Sequence, residues 1–145
     1  QNDHSIFYSY VKDSKADIIE SPKGLYDYNK KLFLDYINYY ENQIREINKK
    51  INNTSKDQPI YLFGAHIFAQ YLFQFGLDKS RIICLLDNDP DKQGKRLYGT
   101  NMIVKSPKVI KDISSPIIIL KAGVYNEEIK EDIISNINHN TIFWE

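Results

Sequence analysis

The stretch Tyr61–Leu77, "YLFGAHIFAQYLFQFGL", decides the fold. With Ile60 before it, the apolar run 60–63 is too short for a helix and is closed by Gly64, a natural tight-turn residue. A helix-like stretch over 65–76 follows and stops at Gly76, the residue type that most readily takes the left-handed C-cap position. Strand, glycine and helix in that order open a β-α-β unit. A dinucleotide turn would carry G-x-G-x-x-G, so that the backbone can approach a pyrophosphate and the helix can pack on the strand. Here His66 and Ala69 stand at the second and third glycine positions. The turn therefore has three readings: a cofactor site, a site for another anion at the helix N-terminus, or a turn with structural work only.

Working outward, the pattern repeats. "RIICLLD" (81–87) is continuous in apolar residues, as a parallel strand covered on both faces should be. "NDPDKQGKRLYGT" (88–100) is rich in turn formers, and "MIV" (102–104) reads as a short edge strand. "SPKVIKDI" (106–113) reads as a short helix, with Ser106 as N-cap and Pro107 in the first helical position. "PIIIL" (116–120) is a buried strand, 125–137 a helix with Ile129, Ile133, Ile134 and Ile137 on one face, and "TIFW" (141–144) a last strand. Short connections between alternating strands and helices predict an α/β fold: a Rossmann-like parallel sheet of about five strands, order 3-2-1-4-5, with right-handed crossovers and flanking helices.

Upstream, Leu25, Tyr28, Leu32, Tyr36, Tyr40, Ile44, Ile47 and Ile51 recur at spacings of three and four. That stripe predicts one long amphipathic helix over 25–52. "SPKG" (21–24) and "NNTSKDQP" (52–59) break the chain on either side of it. The organisation expected is an irregular segment over 1–24, a long helix over 25–54 and a Rossmann-like domain over 55–145. The Ile44, Ile47, Ile51 register also resembles a short coiled-coil seam, which leaves open a homodimer through this helix, packing on the sheet, or packing on another domain.

Bulk properties exclude several classes. The chain has 145 residues, suited to one domain, with 42% hydrophobic and 26% charged residues. Its 19 basic and 19 acidic side chains cancel, with no basic stripe, so nucleic acid is not an expected partner. No apolar run approaches the ~20 residues that span a bilayer, so no membrane partner is expected. No secretory leader is visible, and the single Cys84, which has no internal disulfide partner, sits in an apolar run as a buried thiol would. A reducing cytoplasm is the expected compartment. The sequence starts at Gln1 rather than Met, which predicts a processed product or a piece of a longer protein.

In such a sheet ligands bind at the carboxyl ends of the strands, near the point where the strand order reverses. The prediction is one rim carrying "GAH" after the first strand, "DND" after the second, "KAGVYN" after the fourth, and the end of the last strand. Gly64, Ala65 and His66 offer a helix N-terminus, and His66 is either an acid–base or phosphate-donating group or a hydrogen-bonded surface residue. Asp87 stands where dinucleotide enzymes place the acid that holds a ribose. Equally, Asp87 to Asp91 with Lys92 form a solvated turn whose side chains cap their own backbone. Beyond Gly123, Tyr125 could stack on a base or sugar and Asn126 could read a polar edge, or Asn126 caps the helix while Glu127 and Glu128 complement its dipole. No Cys, His or carboxylate cluster has metal-ligand spacing; His4 and His139 lie in irregular segments.

The loop is more distinctive than the glycines. "LFGA" (62–65), "DNDPDKQGKRLYGT" (87–100) and "VYNEEI" (124–129) occur in the order, and with the D-x-x-P-x-K-Q-G run, that resembles the C-terminal domain of SAM-dependent sugar C-methyltransferases. The long helix matches the helix that precedes this domain in the family, so the resemblance covers most of the chain. A related glycine-turn and D-x-x-P pattern occurs in N-terminal domains of sugar acyltransferases. Family members often carry "GASAKG" where this chain has "GAHIFA", and a proline where it has Tyr98.

The resemblance implies a substrate-side domain of a bacterial sugar-nucleotide-processing transferase serving surface-polysaccharide synthesis. It implies a nucleotide-linked sugar as ligand, contacted by Gly64, Ala65, His66, Asp87, Asn88, Lys92, Gly123, Tyr125 and Asn126. The S-adenosylmethionine would be bound by a separate N-terminal methyltransferase domain, the expected partner, and these 145 residues alone would bind no cofactor and catalyse no methylation. The alternative, motivated by Asp87, is a stand-alone Rossmann-like module that binds a nucleotide or dinucleotide without chemistry.

Overall fold

The computed structural model describes residues 9–12 and 20–145. Two compact units divide the chain, residues 1–34 and 35–145. In the first, residues 9–12 have no regular structure and are exposed, and a turn at 23–24 leads into helix α1 (Leu25–Asn53), which runs through the boundary. Residues 1–8 and 13–19 of the irregular segment expected over 1–24, with His4, lie outside the described residues.

The second unit holds a single sheet. Its strands are β1 (Ile60–Phe63), β2 (Ile82–Leu86), β3 (Val104–Lys105), β4 (Ile117–Leu120) and β5 (Ile142–Trp144), in the order β3-β2-β1-β4-β5. All four pairings are parallel. The predicted α/β architecture and strand order are therefore those of the structure. The physical reason is visible in β1 and β4, every residue of which is buried: a strand with helices on both faces has no solvent side to serve. The sheet edges are the short strands β3 and β5, where Lys105 and Ile142 are exposed.

Alternate residues of the strands feed two cores. Ile60, Leu62, Leu85, Ile117 and Ile119 pack with Ile44, Ile47 and Ile51 of α1 and with Ala69 and Leu72 of α2 (Ile67–Gln74). Tyr61, Phe63, Cys84, Ile118 and Leu120 face Ile129 and Ile133 of α3 (Asn126–Asn136) and Ile110. Each fully buried Ile or Leu contributes about 1.5–3 kcal/mol. The would-be coiled-coil seam is thus occupied by the chain's own core. The stripe on α1 is buried only at its C-terminal end; Leu25, Tyr28, Leu32 and Tyr36 are exposed.

The end of α2 shows how sequence sets a boundary. Gly76 adopts φ +97°, its N–H reaches the Phe73 carbonyl, and the Leu77 N–H reaches Leu72 at 2.9 Å. This is the Schellman arrangement that satisfies the last helical carbonyls. Asn48 of α1 locks it by donating to the Gly76 carbonyl and accepting from the Asp78 N–H. Two expected helices are shorter or different. Residues 107–110 form a 3-10 turn rather than a helix over 106–113, although Ser106 does cap it, and a second 3-10 turn at 123–125 precedes α3.

Candidate functional site

Because every strand is parallel, the residues that follow β1, β2 and β4 share one rim. Gly64, Asp87 and Lys121 each stand one residue past a strand end. The strand order reverses between β1 and β4, whose last pair is Phe63↔Leu120, so Gly64 and Lys121 flank the switch point.

The β1 turn is shaped by one contact. Gly64 has φ +99°, and a β-carbon there would run into the imidazole of His66. Only glycine meets both conditions. His66 in turn is the N-cap of α2, its Nδ1 accepting from the Phe68 N–H at 3.2 Å. A neutral ring bonded this way carries its proton on Nε2. Burial pushes the imidazole below its ordinary range, the Lys92 ammonium adds to that, and Asp87 pulls the other way. The downward shift favours the neutral ring that the Nδ1 cap requires.

Asp87 is buried, and both of its carboxylate oxygens accept hydrogen bonds. Oδ2 accepts from the Ala65 N–H at 2.7 Å and from Lys92 Nζ at 3.1 Å, and Oδ1 accepts from the Asp89 N–H at 2.9 Å. Burial alone would raise its pKa, but the hydrogen bonds from Asp89, Ala65 and Lys92 outweigh it and hold the carboxyl below the usual range. Gln93 adds a bond to the Asp87 carbonyl, and the Gly94 N–H reaches the Val104 carbonyl. The D-N-D-P-D-K-Q-G run is thus a structural clasp joining the ends of β1, β2 and β3. Of its two readings, the self-capping turn is the one the geometry displays; a ribose held by Asp87 would have to compete with its own backbone.

Past β4 the chain turns through Lys121 and Ala122. Asn126 Oδ1 accepts from the Ala122 N–H at 2.9 Å, so its side chain closes the 3-10 turn instead of capping α3. Tyr125 is exposed, as are Gly123 and Asn88. Direct bonds therefore bring together Ala65, Asp87 and Lys92, with Gly64 and His66 packed beside them. Gly123, Tyr125 and Asn126 share the rim without a bond to that group, and Asn88 points no polar contact at it.

Lys121 begins the "KAGVYN" stretch expected on the rim but was not among the residues expected to contact the ligand. Its ammonium, half-buried, donates to Gln43 Oε1 of α1 at 3.0 Å. Burial pulls it below the ordinary lysine range, repulsion from Lys50 adds to that, and Glu145 offsets it. The register of β4 on β1 is what sets Lys121 beside the Gly64 turn.

A shallow depression lies at the opposite edge, lined by Lys79, Arg96, Leu97, Tyr98, Gly99, Thr100 and Asn101. These residues precede or adjoin the amino ends of β2 and β3, and none belongs to the predicted site. Among the described residues no group of three or more His, Cys, Asp or Glu could hold a metal ion, and no helix is long and apolar enough to cross a membrane. Neither a known family model nor a curated protein matches the chain.

Proposed function

We propose that this chain is the substrate-side domain of a sugar-nucleotide-processing transferase of the C-methyltransferase kind, and that its rim between β1 and β4 receives the nucleotide-linked sugar. The observation that carries the reading is the cationic Lys121 beside the Gly64 turn at the switch point of an all-parallel sheet. The exposed Tyr125 adds a stacking surface on the same rim. The buried Cys84 thiol, which burial pushes up, suits a cytoplasmic enzyme.

These residues do not fit S-adenosylmethionine or a dinucleotide in the usual pose. The His66 ring occupies the space against Gly64 where such a ligand's backbone contact would form, and both Asp87 oxygens already accept from the chain's own groups. The methyl donor would be held by a separate domain, and the role of this one is binding and orientation. The same two observations weigh against a stand-alone dinucleotide module. Calorimetric titration with dTDP-, GDP- and UDP-sugars, on the chain alone and joined to a methyltransferase domain, tests the proposal. Saturable heat with one nucleotide class is expected; silence with all of them in both forms removes it.

A further inference from the structure

Three half-buried lysines of the second unit invite comparison. Lys92 has Asp87 at 3.1 Å and Asp89 at 3.8 Å. Lys130 has Glu127 at 2.7 Å and Glu145 at 2.5 Å. Lys121 has no carboxylate within ion-pair distance among the described residues; its one recorded bond goes to the neutral amide of Gln43. An ammonium has three donors, so two remain. Partial burial of a cation without a counter-charge is unfavourable, and folding gains nothing evident from it.

The surroundings deepen the imbalance. Lys50, seven residues after Gln43 on the same helix, repels Lys121, and its own ammonium sits 5.9 Å from the Trp144 ring centroid rather than on a carboxylate. The nearest acid that acts on Lys121, Glu145, is already bound by Lys130. Gln43 orients the ammonium without neutralising it. Lys121 thus keeps a charge that no bonded carboxylate offsets among the described residues.

We propose that Lys121, oriented by Gln43, is the anion-holding residue of this rim, and that its ligand is a diphosphate group. An oxyanion with many acceptor oxygens suits an ammonium with two donors unused. The inference rests on the functional reading above for the ligand's identity, but a free diphosphate tests it separately.

The experiment is calorimetric titration of the full chain at low salt with inorganic pyrophosphate and, separately, with UDP-, GDP- and dTDP-sugars. The proteins are the wild type, Lys121→Met, Lys121→Arg and the exposed-lysine control Lys111→Met. Lys121→Met keeps most of the aliphatic stem, and a thermal melt verifies that each variant is folded; Lys121→Arg keeps the charge should the methionine variant fail. Pyrophosphate affinity is expected to fall about tenfold or more in Lys121→Met, to survive largely in Lys121→Arg, and to be unchanged in Lys111→Met. Equal pyrophosphate affinity in wild type and Lys121→Met, or no pyrophosphate binding by the wild type, overturns the inference. Pyrophosphate binding through Lys121 with no response to any nucleotide sugar upholds the inference and removes the sugar-nucleotide reading. Nucleotide-sugar binding indifferent to Lys121 does the reverse.

Discussion

Asp87 and Lys121 occupy equivalent places, each one residue beyond a strand end on the same rim, yet their charges are treated in opposite ways. The Asp87 carboxylate takes two backbone N–H groups and the Lys92 ammonium, all from its own chain. The Lys121 ammonium takes one neutral amide. The first charge is bonded and neutralised within the chain and ties the rim together; the second has no bonded counter-ion among the described residues. The difference separates the residues that hold the loops in position from the residue proposed to meet a ligand.

That comparison can be broken most forcefully at Asp87. Asp87→Ala strands the Ala65 and Asp89 N–H groups and frees Lys92, and should cost about 3 kcal/mol in urea unfolding. A loss well under 1 kcal/mol would mean that the clasp is decorative. Next comes Gly64→Ala, expected to cost about 2 kcal/mol, from the positive φ together with the collision with His66. Because part of that cost is the collision, the Gly64→Ala, His66→Ala double variant should be more stable than the sum of the single effects predicts, by at least about 0.5 kcal/mol. Strict additivity would show that the ring contact carries no energy.

The pH dependence sharpens the same contrast. The folded-state pKa of His66 lies below its unfolded value, so its contribution is present above the unfolded pKa and is lost as pH falls through the folded one. Wild-type stability should therefore start to decline below pH about 6.5, and His66→Ala, about 1 kcal/mol less stable at neutral pH from the lost cap, should show no such decline in that range. The depressed Asp87 carboxyl acts in a separate window, its contribution being lost only below pH about 4. The smallest effect belongs to Lys121→Met, which should change stability by less than about 0.5 kcal/mol in either direction, because no ion pair is lost.

Much of the architecture was legible because the physics behind it is local. Continuous apolar runs at 60–63 and 116–120 can only be strands covered on both faces, and glycine at 76 marks the one position after α2 that needs positive φ. Other features were not legible. Whether Tyr36 or Ile44 of the α1 stripe is buried depends on how far the sheet extends beneath the helix, which spacing alone does not reveal. Residues 106–113 have the cap and proline of a helix but close after four residues as a 3-10 turn. At the site, Asp87 could be seen, but its saturation could not, since two of its three donors are backbone N–H groups that carry no sequence signature. Lys121 was on the expected rim within "KAGVYN", but its pairing was not legible: Gln43 lies 78 residues away, and only the register of β4 on β1 sets the lysine beside Gly64.

The account stands on ligand binding at the carboxyl rim between β1 and β4. The direct measurement is an amide chemical-shift titration of the isotopically labelled chain with a UDP-, GDP- or dTDP-sugar. The account predicts shifts concentrated at Gly64, Ala65, His66, Lys121, Gly123 and Tyr125. Shifts confined to Arg96, Tyr98 and Gly99 at the opposite edge of the sheet, or none with any of the three, would contradict it.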